Sequence, residues 1–191
     1  TTESYTDSIP DANTGTTYFY VVEAIDDDGL DSEYSNEVEV NTTLQVWIDP
    51  LEWSYRKKVT IDSNQVDSDL TDFPVYVDLS DLGSDFFNNI QSNGEDIRVT
   101  TSDKKTEVPI EVVSVDENSE TGELHFKTPS ISSSENTEFW IYYGNSAASE
   151  YAPDDTYGSE NVWSNYEAVY HFNEDPSTQV VDSAGNFPAI G

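Results

Sequence analysis

Along most of this chain apolar residues recur at every second position, in short runs bounded by Gly, Pro, Asn, Asp and Ser. Val75, Val77 and Leu79 share one parity, as do Leu124 with Phe126, and Phe139 with Ile141 and Tyr143. Successive side chains of an extended strand point to opposite faces, so each set predicts one buried face of a sheet. Helical periodicity is nearly absent. The pattern predicts about ten strands, most clearly over residues 18–26, 37–42, 56–62, 73–79, 96–101, 108–115, 123–128 and 138–143. A single helical turn is expected over 84–90. Short turns between strands, without helices of crossover length, predict an all-β chain of antiparallel β-sandwich modules in tandem.

Alternation gives way to Ser, Asn, Ala, Asp and Gly near 41–51 and again near 144–163, which divides the chain into blocks 1–44, 45–152 and 153–191. Only the middle block has the length of about 100 residues usual for a two-sheet sandwich. The flanking blocks are expected to be incomplete modules, with exposed strands to be covered by other modules of the same protein or by neighbouring copies.

Charge narrows the partners. Seven Lys+Arg against 39 Asp+Glu give a formal net charge of −32, which disfavours nucleic acid and anionic membrane surfaces. Such repulsion calls for salt or bound cations, and a saline exterior fits. An aromatic share of 13% argues for packed cores rather than disorder. The chain has no Cys, which excludes a disulfide framework and a thiolate metal site and makes zinc improbable. No run approaches the length of a membrane helix. The first residue is Thr and there is no Met, so neither a primary translation product nor an attached signal peptide is expected.

In block one, Gly15-Thr16-Thr17-Tyr18-Phe19-Tyr20-Val21-Val22-Glu23-Ala24 through Asp31-Ser32, followed by Ser35-Asn36-Glu37-Val38-Glu39-Val40, resembles the C-terminal half of a fibronectin type III domain. The resemblance implies a tyrosine corner at Tyr18 and a hairpin over 26–32. Asp26, Asp28, Asp31 and Glu33 invite a calcium-loop reading, because hard cations gather several carboxylate and carbonyl oxygens. Their spacing is not that of an EF-hand. The favoured alternative is an acidic, solvated turn in which Gly29 supplies a positive φ.

In block two, Trp53-Ser54-Tyr55-Arg56-Lys57-Lys58-Val59-Thr60-Ile61, Phe73-Pro74-Val75-Tyr76-Val77-Asp78-Leu79, Gly94-Glu95-Asp96-Ile97-Arg98-Val99 and Phe139-Trp140-Ile141-Tyr142-Tyr143-Gly144-Asn145 occur in order. Together they resemble a family catalogued as domain of unknown function 2341, over Trp53 to about Tyr151. The resemblance implies a β-rich module of large bacterial and archaeal surface proteins, to which no chemistry is assigned. Arg56 and Arg98 are the only arginines. Bidentate pairing to a carboxylate such as Asp96 or Asp78 is the favoured role, and reception of an anionic sugar or terminal carboxylate the functional alternative. For the aromatic residues core packing is the default; Trp140 and Tyr142 take the strand face opposite Phe139, Ile141 and Tyr143, so they are the candidates for the alternative, stacking on a polysaccharide. Arg56-Lys57-Lys58 and Lys104-Lys105 could form one basic spot.

In block three, Asn161-Val162-Trp163-Ser164-Asn165-Tyr166-Glu167-Ala168-Val169-Tyr170-His171-Phe172-Asn173-Glu174, then Asp182-Ser183-Ala184-Gly185-Asn186, resembles the opening of a concanavalin A-like, laminin-G-like sandwich. His171 with Glu174 or Asp175 is a thin metal constellation, and a satisfied core histidine is the commoner situation.

Enzymatic chemistry needs a nucleophile with a base, or a positioned acid–base pair. There is no Cys, and the two histidines, His125 and His171, fall in different blocks. The expectation is a non-catalytic segment of a large secreted or cell-surface protein of a prokaryote, serving as stalk, adhesin or filament region. The alternative is a carbohydrate-binding accessory region of a secreted polysaccharide-degrading enzyme.

Overall fold

Pro109 divides what the alternation presents as a single strand over 108–115. Val108 ends one strand, Ile110 begins the next, and the two belong to different sheets. Proline cannot donate to a ladder, and here it sits where the chain leaves one sheet for the other.

In the computed structural model the described residues are 17–25, 28–29, 32–41, 52–174 and 179–187. The chain forms two compact units, Thr1–Trp47 and Ile48–Gly191. In the first, β1 (Thr17–Tyr20) pairs antiparallel with β2 (Val38–Asn41). Beyond β1 the main chain is matched by serines: Val22 N–H donates to Ser35 Oγ and Ala24 N–H to Ser32 Oγ, while the Ser35 and Ser32 N–H groups return bonds to Val22 and Ala24. Gly29 adopts the positive φ its turn position implied. Phe19 is 58% exposed and Val22 71%, with Ile25, Tyr34 and Val38 also exposed.

The second unit holds a four-stranded antiparallel sheet, ordered β3 (Tyr55–Ile61), β9 (Thr137–Tyr143), β5 (Arg98–Thr101), β6 (Glu107–Val108). A three-stranded antiparallel sheet, ordered β4 (Leu70–Asp78), β8 (Thr121–Ile131), β7 (Ile110–Asp116), accompanies it. The core joins Val77, Leu79, Val99, Val108, Ile110, Leu124, Phe126, Phe139, Ile141 and Tyr143 to Phe86 and Phe87. The last two come from α1 (Ser84–Phe87), the helical turn expected over 84–90. Burying so many whole side chains at about 1.5–3 kcal/mol each is the dominant favourable term. The alternating parity of 73–79, 123–128 and 138–143 is met except at Phe73, which is exposed on the core parity, and at Tyr142, which is buried on the opposite one. The chain is all-β, as the pattern predicted.

Downstream of β9 the chain continues within the same compact unit, Ile48–Gly191. The Ile110 N–H donates to the Tyr157 carbonyl, and α2 (Ser159–Val162) packs beside β7 and β8. Val162, Trp163 and Ala184 form a small second core with Val169. Asp182 fixes its far side by accepting from the Val169, Ala184, Asn186 and Phe187 N–H groups. What the sequence presents as a polar seam is therefore a hydrogen-bonded wrap.

Candidate functional site

The four expected binding residues do meet on one sheet. Tyr142 of β9 lies opposite Arg56 of β3 on one side and Arg98 of β5 on the other, while Trp140 lies between Lys58 and Thr100. Tyr142 is 4% exposed, too buried to stack on a sugar. Trp140 already holds cations, with Arg56 Cζ 4.8 Å and Lys104 Nζ 4.9 Å from its ring centroid. Arg56 and Lys104 thus form one basic spot about Trp140.

Arg98, 5% exposed, does not pair with Asp96 or Asp78. Its Nη1 donates to the carbonyls of Glu95 (2.9 Å) and Ile97 (2.7 Å), and its Nη2 to that of Ser149 (2.6 Å). The Tyr151 ring stacks on the guanidinium at 4.1 Å. Asp96 is otherwise engaged, accepting from the N–H groups of Gln91 (2.9 Å), Gly144 (2.6 Å) and Asn145 (3.0 Å). Asp78 accepts from Ser80. The acid nearest Arg98 is Glu107, whose Oε1 stands 3.9 Å from Nε, with neither atom hydrogen-bonded. Burial pushes the Glu107 carboxyl up to about 9, against the opposing pull of the Tyr151 hydroxyl and Arg98. Arg98 is thus a tie between the 95–98 segment and the 149–151 segment.

Of the expected calcium ligands, Asp26 and Asp31 lie outside the described residues, as does the Tyr18 side chain. Asp28 and Glu33 are exposed.

A cluster that the sequence places in separate blocks forms on the outer face of the β7–β8 pair. Glu123 and His125 stand two apart on β8 and so share a face, and Glu111 of β7 pairs with His125 across the ladder. Residue 171, carried back by the Asp182-anchored wrap, completes it. His125 Nε2 lies 2.7 Å from Glu123 Oε1, and His171 Nδ1 lies 3.8 Å from the same oxygen. His171 Nε2 hydrogen-bonds Glu111 Oε2 at 3.0 Å, and the Trp163 indole N–H donates to that oxygen too. The two imidazole centroids are 5.4 Å apart, with the Trp163 ring 5.0 Å from His125 and 5.9 Å from His171.

The electrostatics are those of a half-buried imidazole among carboxylates. The bond to Glu111 raises the His171 pKa, against the opposing effect of burial. Burial pushes Glu111 up, but hydrogen bonds from His171, Ser183 and Trp163 outweigh it and hold its carboxyl below the usual range. Glu174, close enough to act on His171, accepts from the Val181 N–H through Oε1, while its Oε2 is buried without a hydrogen-bond partner. Glu123, His125 and His171 offer ligand atoms that all lie within 4.8 Å of one another. The cluster draws its members from two blocks of the sequence, so neither block by itself displays it. The available signal was that the chain has only two histidines, each on or beside a strand with a glutamate two or three residues away.

Comparison with known proteins finds no matching curated sequence and no matching solved structure. Residues 93–185, a stretch that contains Arg98, Glu111, Glu123, His125, Trp163, His171 and Asp182, match the family model described as Domain of unknown function (DUF2341).

Proposed function

We propose that this chain is a non-catalytic segment of a large secreted or cell-surface modular protein, acting as a stalk, adhesin or filament region of a prokaryote in a saline environment. The observation that carries the reading is the β1–β2 ladder and the segment that follows β1, where Phe19, Val22, Ile25 and Val38 are exposed. Apolar strand faces of this kind invite cover, which neighbouring modules of the same protein or adjacent copies would supply. The fibronectin type III-like and concanavalin A-like readings of blocks 1–44 and 153–191 belong to the same proposal. So does the strongly acidic surface, suited to a medium in which salt screens it. The engagement of Arg56, Arg98 and Lys104 with aromatic rings and carbonyls also favours a structural role over ligand capture.

The test is labelling of the source cells with antibody raised against the 48–191 unit, alongside a polysaccharide-binding screen. Labelling of intact cells with no polysaccharide retained is the expected result. Labelling only after permeabilisation would refute a surface role, and saturable polysaccharide binding lost in Trp140→Ala would favour the carbohydrate-binding alternative.

A further inference from the structure

We propose that Glu123, His125 and His171 form a binding site for a borderline divalent cation of the zinc class, which ties the 163–174 segment onto β8. The donor set is two imidazoles and a carboxylate, the ligands such ions take when thiolates are absent. The distances suit it. Ligand atoms about 2.0–2.1 Å from a tetrahedral ion stand roughly 3.3 Å from one another. The separations of 2.7 Å and 3.8 Å about Glu123 Oε1 straddle that value, so small side-chain rotations suffice.

A second observation is the arrangement behind the ligands. A metal-bound imidazole characteristically donates its other N–H to a carboxylate, which fixes the tautomer and aims the free lone pair at the ion. Glu111 stands in that position, 3.0 Å from His171 Nε2, which leaves Nδ1 facing Glu123. The Trp163 N–H holds the same Glu111 oxygen, so the supporting carboxylate is itself oriented. Trp163 also walls the site beside both imidazoles. Glu174 Oε2 is buried without a hydrogen-bond partner, but its carboxyl is not among the ligand atoms that lie within 4.8 Å of one another, so the fourth position would fall to water. Calcium, which takes six or more oxygens, is not what two imidazoles select.

The ligands come from a strand and from a segment far along the chain, so the ion would act as a cross-brace. It would hold the folded unit without adding a reaction. This goes beyond the structural role proposed above and does not depend on it.

The experiment is titration of the full 191-residue chain with zinc by calorimetry in about 0.15 M salt and excess calcium, so that exposed carboxylates are screened and occupied. One saturable site is expected. A zinc excess of about a hundredfold over Kd should raise the melting temperature by about 5–10 °C, reversed by chelator. Cobalt in place of zinc should give the intense visible absorption of a tetrahedral site. His171→Ala and Glu123→Gln should abolish the saturable phase. Glu111→Gln, which keeps a neutral partner for His171, should weaken binding about 10–100-fold. Because His171→Ala could loosen the wrap by itself, His125→Gln is paired with it and checked by near-ultraviolet circular dichroism. Absence of a saturable phase, or one that persists in the two histidine variants, would overturn the site and leave the cluster a carboxylate-bridged imidazole pair. Neither outcome bears on where the protein resides, so this inference and the surface reading fail separately.

Discussion

The imidazoles of His125 and His171 stand with centroids 5.4 Å apart on the outer face of β8, each held to a different glutamate. His125 is placed by its strand. His171 is placed by Asp182, four of whose accepted N–H bonds set the path of the returning wrap. A short carboxylate thus determines whether the two histidines meet. Four further consequences of the structure are open to measurement.

Asp96 should be one of the most sensitive positions in the fold. Its fully buried carboxylate accepts from three main-chain N–H groups, those of Gln91, Gly144 and Asn145. Asp96→Ala leaves these donors unpaired and should destabilise the protein by about 3 kcal/mol or more. Asp96→Asn, which retains one acceptor oxygen, should cost less. Urea unfolding of both variants checks this, and a midpoint for Asp96→Ala equal to the parent's would show that water satisfies the donors equally well.

Arg98→Lys should behave as a disruptive change. The guanidinium serves three carbonyls through two nitrogens and stacks on Tyr151, a geometry that a single ammonium cannot reproduce. A loss of about 2 kcal/mol is expected, together with faster hydrogen exchange at 149–151. Parent-like exchange in that segment would remove its role as a tie.

Glu107 should make stability fall as pH rises through the neutral range. Its folded pKa of about 9 lies above the ordinary glutamate value of 4.5, so between these limits the native state holds a proton that the unfolded chain releases. The group's contribution is fully present below about 4.5 and is lost as pH approaches 9, by at most about 1.4 kcal/mol per pH unit. Glu107→Gln, which mimics the neutral form, should flatten the decline in urea midpoint between pH 6 and 9. An identical slope in parent and variant would show that Glu107 is ionised in the native state, paired with Arg98.

Added salt should raise the melting temperature, since a net charge of −32 makes long-range repulsion among carboxylates the main electrostatic term. The expected curve climbs from low salt towards about 1 M, where the screening length falls to roughly 3 Å. Millimolar calcium should act in the same direction. A midpoint independent of salt would mean that the carboxylates already lie beyond one another's influence.

What the sequence determined by itself is the local order. Period-two alternation over 73–79, 123–128 and 138–143 reports which side chains enter the core, because parity along a strand needs only neighbouring residues to establish it. The helical turn at 84–90 and the turn at Gly29 were legible for the same reason. Tertiary structure decided everything that depends on which strand lies beside which. Val108 and Ile110 look continuous in sequence, yet they enter different sheets at Pro109. Arg98 finds carbonyls where an acid was expected, because the 149–151 segment packs against it. The polar stretch after Gly144 resembles a linker, since its order comes from hydrogen bonds to distant main chain, and such bonds leave no periodic mark. His125 and His171 share one site because antiparallel pairing places Glu111 beside β8 and the Asp182 turn returns the wrap to it, long-range contacts that no local pattern encodes.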